Sequence, residues 1–135
     1  MEKLFVTFDL ASKLKDKGFD EFCFAFFEKF NRNDEAYYEF KLCQKPSRNS
    51  IKDWYYMNDK TQAVTTPLYQ QCVDWLREKH GIELSSPCKK DKDLGVFYGG
   101  YIKKHDDDFG KSYGSNFRDY YEAYNHGIEE ALKLI

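Results

Sequence analysis

The sequence predicts an α+β fold: a single domain over residues 1–135, with a small antiparallel sheet packed with helices. Two observations predict it. Apolar residues recur at helical spacing in some stretches, and continuous or alternating apolar residues typical of strands occupy others. The resulting order is α-β-β-α-β-β-α, with no repeated strand–helix–strand unit, which favours α+β over a parallel α/β sheet.

The first predicted helix begins at Thr7 and ends at Gly18. Its inward positions, at helical spacing, are Leu10, Ala11 and Leu14. Gly18 permits the left-handed conformation that ends a helix, and Phe19 then contacts Leu14.

A hairpin is predicted next. The run from Phe22 to Phe27 is continuous and apolar, which is typical of a central strand buried on both faces. Residues Asn31 to Asp34 supply turn chemistry. Residues Ala36 to Leu42 alternate, which predicts a second strand with one exposed face.

The best-specified element is a helix from Pro67 to His80. Thr66 is expected to cap it, Pro67 suits the first helical position, and Gly81 can end it. Its apolar stripe includes Leu68, Cys72, Val73 and Leu76. We expect Trp75 and Leu76 to pack against the sheet, with the C-terminal helix on the same face.

The C-terminal half predicts two strands and a helix. Ile82–Leu84 and Leu94–Ile102 are the strands, joined by a turn at 87–93, and Lys103–Ser115 is expected to be a polar loop. Asn116–Ile135 has a helical stripe and is expected to be capped by Asn116. Gly127 is its weak point, because glycine costs about 1 kcal/mol relative to alanine inside a helix.

Composition limits the function classes. The net charge of −2 gives no global basic field that would attract nucleic acid or an anionic membrane. No apolar run is long enough to span a membrane and no signal-peptide pattern opens the chain, so we expect a cytoplasmic protein with free thiols. The four cysteines contain no C-x-x-C pair, and we expect neither a metal nor a cofactor.

Three segments resemble one family of small proteins found in phages, prophages and mobile elements of gut bacteria. They are Pro67–Ile82, Leu10–Asp20 and Tyr120–Leu132, and the resemblance as a whole extends over about half of the chain. The resemblance implies a phage or mobile-element context and implies no chemistry.

The sequence contains no strong catalytic or metal-binding motif. Aligned on Gly110, the acidic stretch from His105 matches a calcium-binding loop poorly, because His105, Phe109 and Asn116 fall at ligand positions. A solvated acidic loop is the better interpretation. His80 is best explained as a cation at a helix C-terminus. An enzyme therefore ranks third among the functions that the sequence predicts, after protein binding and nucleic-acid binding.

The leading expectation is a non-enzymatic accessory protein that binds another protein, either a second copy or a host or phage component. Aromatic residues make up 19% of the chain, more than its short elements should need to bury. Tyr and Trp are enriched where proteins bind one another.

The alternative is a single-stranded nucleic-acid-binding module in the stretch 41–56. Basic residues there are interleaved with aromatic residues. This arrangement suits contact with phosphates and stacking of nucleobases on the rings. The candidate binding residues are Lys45, Arg48, Lys52, Trp54 and Tyr56.

Overall fold

A computed structural model of the chain describes residues 1–47, 63–92 and 95–135. The chain divides into two compact units, Met1–Leu68 and Tyr69–Ile135. Each unit combines helix with an antiparallel sheet of its own, so the predicted α+β class is confirmed and the expected single sheet is two. The prediction of one domain over residues 1–135 stays a prediction.

The first unit contains one α-helix and a three-stranded sheet. After a short 3-10 turn, its elements are α1 (Phe8–Asp16), β1 (Cys23–Arg32), β2 (Glu35–Ser47) and β3 (Ala63–Thr66). The strand order is β2-β1-β3, and both pairings are antiparallel.

Helix α1 forms as predicted. The Thr7 hydroxyl accepts a hydrogen bond from the Leu10 amide at 3.4 Å, which caps its first turn. Gly18 has a φ of +90°, and the Phe19 amide donates to the Leu14 carbonyl at 3.0 Å. This return of the chain satisfies a carbonyl that the helix end leaves without a partner.

Strand β1 is central, as expected, but its buried part is displaced. Four consecutive residues from Ala25 to Glu28 are buried, so both faces are covered there. Phe22 and Phe24 are half exposed, which corrects the prediction that Phe22–Phe27 is buried throughout. The turn to β2 uses Asn33 and Asp34, with φ of 51° and 62°, the conformation that tight two-residue hairpin turns require.

Two boundaries differ from the prediction. Strand β2 continues to Ser47, through residues expected to be a loop. Its pairing with β1 is irregular there: the pairs Cys23↔Ser47 and Ala25↔Leu42 enclose more residues of β2 than of β1. Thr66 belongs to β3 and does not cap the next helix. Its hydroxyl donates to the Val6 carbonyl at 2.8 Å, a partner distant in sequence that no local pattern reveals.

The second unit places two helices with a sheet built around one strand. Its elements are α2 (Tyr69–His80), β4 (Ile82–Leu84), β5 (Cys88–Lys92), β6 (Gly95–Lys104), β7 (Lys111–Phe117) and α3 (Tyr120–Leu132). Strands β5 and β4 pair in succession along one edge of β6, and β7 pairs along the other.

Two of these strands were predicted otherwise. Strand β5 lies where a turn was expected, and β7 begins in the expected polar loop and extends into the start of the expected helix. Helix α3 begins later than predicted, because Asp119 is its cap and Asn116 is the penultimate residue of β7.

The core of this unit forms where the helices meet the sheet. Helix α2 packs against β4 and α3, and α3 packs against β6 and β7. Trp75 and Leu76 are buried, as predicted. The rings of Tyr69 and Tyr124 stack between the two helices, with centroids 4.7 Å apart.

Candidate functional site

The β1–β2 hairpin extends beyond the third strand of its sheet. Strand β3 pairs only with Ala25–Glu28 of β1. From Lys29 to Tyr38, through the turn, the two strands pair only with each other among the residues that the structure describes. The sequence therefore builds a two-stranded ribbon whose side chains have fewer neighbours than those of the sheet.

Three aromatic rings on this ribbon are exposed to solvent. Phe30 is 37% exposed, Tyr37 50% and Tyr38 42%. We call these three residues the aromatic hairpin surface. They border an open cavity of about 680 Å³, whose lining comprises Phe30, Asn31, Arg32, Asn33, Tyr37, Tyr38 and Glu39.

Neighbouring side chains fix the two tyrosines. Tyr38 stacks on the Phe8 ring of α1, with centroids 3.6 Å apart and planes inclined by 25°. The Tyr37 hydroxyl donates to the Glu35 carboxylate at 2.6 Å. That hydrogen bond raises the pKa of Tyr37, because the neutral hydroxyl is the form that can donate. Both rings are therefore held in position before anything binds them.

Phe30 is held by a cation. Register places Phe30 directly opposite Tyr37, so the two rings share one face of the ribbon, whereas Tyr38, the next residue of β2, lies on the opposite face with Phe8. The Lys41 ammonium lies 4.9 Å from the centroid of the Phe30 ring, a cation–π contact.

Lys41 is itself held by carboxylates. It forms an ion pair with the buried Glu28 carboxylate and lies 3.7 Å from that of Glu39. The hydrogen bond to Glu28 is the main reason that the pKa of Lys41 is raised. Since a buried carboxylate needs a paired cation, Lys41 is committed within the hairpin.

The residues predicted to bind nucleic acid are not brought together in the described part of the chain. The Lys45 backbone lies in β2, and its side chain is outside the described atoms. The other predicted residues, Arg48, Lys52, Trp54 and Tyr56, lie outside the described residues, as does the ambiguous stretch 51–57.

Sequence reasoning missed the aromatic hairpin surface. The alternation at Ala36–Leu42 predicted one exposed face of β2 but not how far the hairpin extends beyond the sheet, and Phe30 was not singled out. The available signal was the distance from the apolar run at Phe22–Phe27 to the turn at Asn33, which is longer than the short strand β3 can cover.

The titratable groups of the second unit form an ion-pair network on its surface. The Glu83 carboxylate lies 3.2 Å from His105 Nε2 and 3.2 Å from Arg77 Nε. The hydrogen bond from His105 is the largest cause of the lowered pKa of Glu83, and Arg77 adds to it. His80 packs its ring edge-on against Trp75, with centroids 4.5 Å apart.

The cysteines and acidic residues offer little reactive chemistry. Burial raises the pKa of the Cys23 thiol to about 12, so it stays protonated and is a poor nucleophile near neutral pH. Across 1–47, 63–92 and 95–135, no group of three His, Cys, Asp or Glu side chains is placed to hold a metal ion.

Within the same ranges, no helix combines the length and apolar character needed to cross a bilayer.

Comparison with protein-family models, with curated proteins and with solved structures found no match. The resemblance to phage and mobile-element proteins stays a prediction.

Proposed function

We propose that this chain is a non-enzymatic accessory protein that acts by binding another protein through the aromatic hairpin surface. The observation that supports it most is the pair of exposed rings, Phe30 and Tyr37, that share one face of the hairpin beside an open cavity, with the exposed Tyr38 ring on its other face.

Binding through these rings costs little further conformational entropy. Aromatic rings carry a large apolar area and few rotatable bonds, so covering them with a partner favours binding. Tyr38 is stacked on Phe8 and Tyr37 is hydrogen-bonded to Glu35, so part of the entropy of immobilising these rings is already lost in the free protein.

The surrounding charges favour a protein partner over a nucleic acid. Arg32 and Glu39 both line the cavity, and Lys41 is paired with Glu28. A rim of mixed sign around apolar rings is typical of protein interfaces. Nucleic-acid binding instead needs an excess of uncommitted cations facing phosphate.

A single-stranded nucleic-acid-binding module remains the second proposal, and it depends on Lys45, Arg48, Lys52, Trp54 and Tyr56. Lys45 lies in the same strand as Tyr37 and Tyr38, so exposed rings and a basic residue occur along one element. We expect salt-sensitive binding to single-stranded oligonucleotides that weakens on Lys45→Glu and Arg48→Glu. Undetectable binding at low salt removes this proposal.

The implied mobile-element context makes a phage or host protein the natural partner class. The test replaces Tyr37 with a photo-crosslinking phenylalanine analogue, expresses the protein in a bacterial host and identifies adducts by mass spectrometry. The matched control carries the same analogue at Gln70, an exposed position on α2.

We expect a discrete heteromeric adduct from position 37 and none from position 70. An adduct whose mass is twice that of the chain would assign the surface to a second copy instead. The same adducts from both positions, or none from position 37, would contradict the proposal.

A further inference from the structure

One face of the sheet in the second unit points away from α3. Side chains alternate between the two faces along β6. On one face the Tyr98 ring contacts the Tyr120 ring of α3, with centroids 5.9 Å apart, and Ile102 is buried. Phe97 and Tyr101 therefore lie on the opposite face, where Tyr101 is 45% exposed.

This opposite face carries three cations. Lys90 of β5 is the cross-strand partner of Phe97, and Lys103 follows Tyr101 at the next position on the same side of β6. The Arg118 guanidinium lies 5.8 Å from the centroid of the Phe97 ring. We call Lys90, Phe97, Tyr101, Lys103 and Arg118 the open sheet face. Within the part of the chain that the structure describes, none of its three cations is paired with a carboxylate.

The carboxylates closest to these cations are engaged with other groups. Glu83, which also lies on this side of the sheet, is held by its ion pairs with Arg77 and His105. Asp119 follows Arg118 in sequence, but its carboxylate accepts two backbone amides at the start of α3. Neither carboxylate neutralises the open sheet face.

Other acids lie outside this face. Asp91 is the next residue after Lys90, so it lies on the other side of β5, where its carboxylate is 3.8 Å from the Lys89 ammonium. The acidic connection 106–108 follows the far end of β6. Although the net charge of the chain is −2, positive charge without a partner is concentrated where Lys90 and Arg118 lie on either side of β6.

Two planar groups on this face are already positioned. The Tyr101 hydroxyl accepts a hydrogen bond from Gly110 N–H at 2.7 Å, and a Cβ at Gly110 would lie 2.0 Å from the Tyr101 ring. The ring therefore rests on the Gly110 backbone while much of its surface stays in water. The Arg118 guanidinium is held against Phe97 by its cation–π contact.

We propose that the open sheet face binds single-stranded nucleic acid. Bases stack on aromatic rings and on arginine planes, and sheets that bind RNA present exposed rings in this way. Tyr101 and Arg118 provide the two planes, and they lie near positions four residues apart on β6, roughly 13 Å, so each serves a separate base. The three cations contact phosphates.

Two features separate this proposal from the others. An acidic polypeptide would satisfy the cations but would leave both planar groups unused, so nucleic acid fits the face better. The proposal also goes beyond protein binding by the aromatic hairpin surface, because it uses residues of the second unit only.

Salt dependence tests the phosphate contacts. For single strands, each neutralised phosphate contributes about −0.7 to the slope of log K against log salt, so three contacts predict a slope of roughly −2. Fluorescence anisotropy of a short labelled oligothymidylate, titrated with the full chain over a range of salt concentrations, measures it. Undetectable binding at low salt, or binding that salt does not change, would overturn the proposal.

Charge variants place the contacts. The double variant Lys90→Gln and Arg118→Gln should bind more weakly and reduce the slope to roughly −0.7. Its matched control is Lys13→Gln with Lys79→Gln, which removes two exposed lysines from helices and should leave affinity and slope unchanged. An affinity that the first variant does not lower, or that only Lys45→Glu with Arg48→Glu lowers, would overturn this site. The latter result would assign the nucleic acid to the stretch 41–56.

Stacking variants separate nucleic acid from an acidic polypeptide. Tyr101→Ala should weaken binding by about fivefold to a hundredfold, whereas Tyr101→Phe keeps the ring and should bind like the wild type. Arg118→Lys keeps the charge but removes the plane, so it should weaken binding at an unchanged slope. Circular dichroism checks that each variant is folded. Full affinity in folded Tyr101→Ala and Arg118→Lys, with equal competition by oligoglutamate, would assign the face to acidic polypeptides and overturn the proposal.

Discussion

The Tyr113 side chain leaves room only for glycine at two neighbouring positions. Its ring is buried, and its hydroxyl donates to the Ser85 carbonyl at 2.6 Å. A Cβ at Gly100 would lie 2.5 Å from the Tyr113 hydroxyl, and a Cβ at Gly127 would lie 2.6 Å from the ring. Gly127, which the sequence marks as a weak point of its helix, is therefore where the ring fits, and α3 continues through it unbroken.

We expect Gly127→Ala to destabilise the protein. Alanine gains about 1 kcal/mol of helix propensity, but the enclosed Tyr113 ring cannot move away, and overpacking typically costs about 1–3 kcal/mol. Urea melts measure the net change. In a Tyr113→Ala background the space is open, so the same substitution should be neutral or stabilising. An equal loss in both backgrounds would mean that the ring is not the obstacle.

The network at Glu83 gives a prediction for pH. The folded state lowers the pKa of this carboxyl, so its contribution to stability is present above the unfolded-state pKa and is lost as pH falls through the folded-state value. The difference in the free energy of unfolding between wild type and Glu83→Gln should therefore narrow as the pH falls below 4.5, the ordinary pKa of a glutamate carboxyl. Urea melts across acidic pH measure it, and a difference independent of pH would contradict the assignment.

The cause of that shift can be tested on the same residue. The hydrogen bond from His105 is its largest source, ahead of Arg77. An NMR titration should then show that His105→Ala raises the pKa of Glu83 more than Arg77→Ala does. The reverse order would assign the shift to the guanidinium.

At the scale of elements, the N-terminal cap of α3 is Asp119 and not Asn116, the residue expected from the sequence. The Asp119 carboxylate accepts from the amides of Tyr121 at 2.8 Å and Glu122 at 3.0 Å, whereas Asn116 lies in β7. We expect Asp119→Ala to lower the free energy of unfolding by about 0.5–2 kcal/mol. Asn116→Ala, the matched control, should cost under about 0.5 kcal/mol. Thermal melts that rank the two the other way would restore the boundary inferred from the sequence.

Local signals explain which elements the sequence could predict. Helix α1 ends before Gly18, which has a φ of +90°, and α2 ends before Gly81, which has a φ of +62°, because a left-handed residue is specified by the glycine itself. The turn at Asn33 and Asp34 is specified in the same way. These features depend on a few adjacent residues, so periodicity and turn chemistry suffice.

Strands whose partners are distant in sequence could not be predicted in the same way. Strand β5, Cys88–Lys92, is almost wholly polar and forms because it pairs with β6; β7, Lys111–Phe117, pairs along the opposite edge of the same strand. Neither has the apolar alternation of a half-buried strand. Thr66 looks like a cap and is instead a strand residue that bonds Val6, which only the fold brings near.

Exposed aromatic rings were predictable in kind but not in place. The excess of aromatic residues predicted that some rings would stay exposed, and Phe30, Tyr37 and Tyr38 are exposed; that they bind a partner stays a proposal. Their exposure follows from the lengths of β1 and β2 relative to β3, a tertiary property that composition does not contain.

At the scale of the whole molecule, each of the two units carries a surface of its own. The aromatic hairpin surface belongs to Met1–Leu68, and the open sheet face belongs to Tyr69–Ile135, as does the exposed Phe109 ring. Substitutions at sites that share no partner usually have additive effects. Substitutions on the aromatic hairpin surface should therefore change partner binding independently of substitutions in the other unit.

The central claim is that the aromatic hairpin surface provides the binding energy for a partner protein. The most direct measurement is calorimetric titration of the partner identified by crosslinking into wild type, Tyr37→Ala and Phe109→Ala. We expect Tyr37→Ala to weaken binding by about 2 kcal/mol or more, roughly thirtyfold in Kd, and Phe109→Ala to bind within about twofold of wild type. Because Tyr37 is half exposed, its truncation should leave the fold intact. Equal affinities for wild type and Tyr37→Ala would contradict the claim.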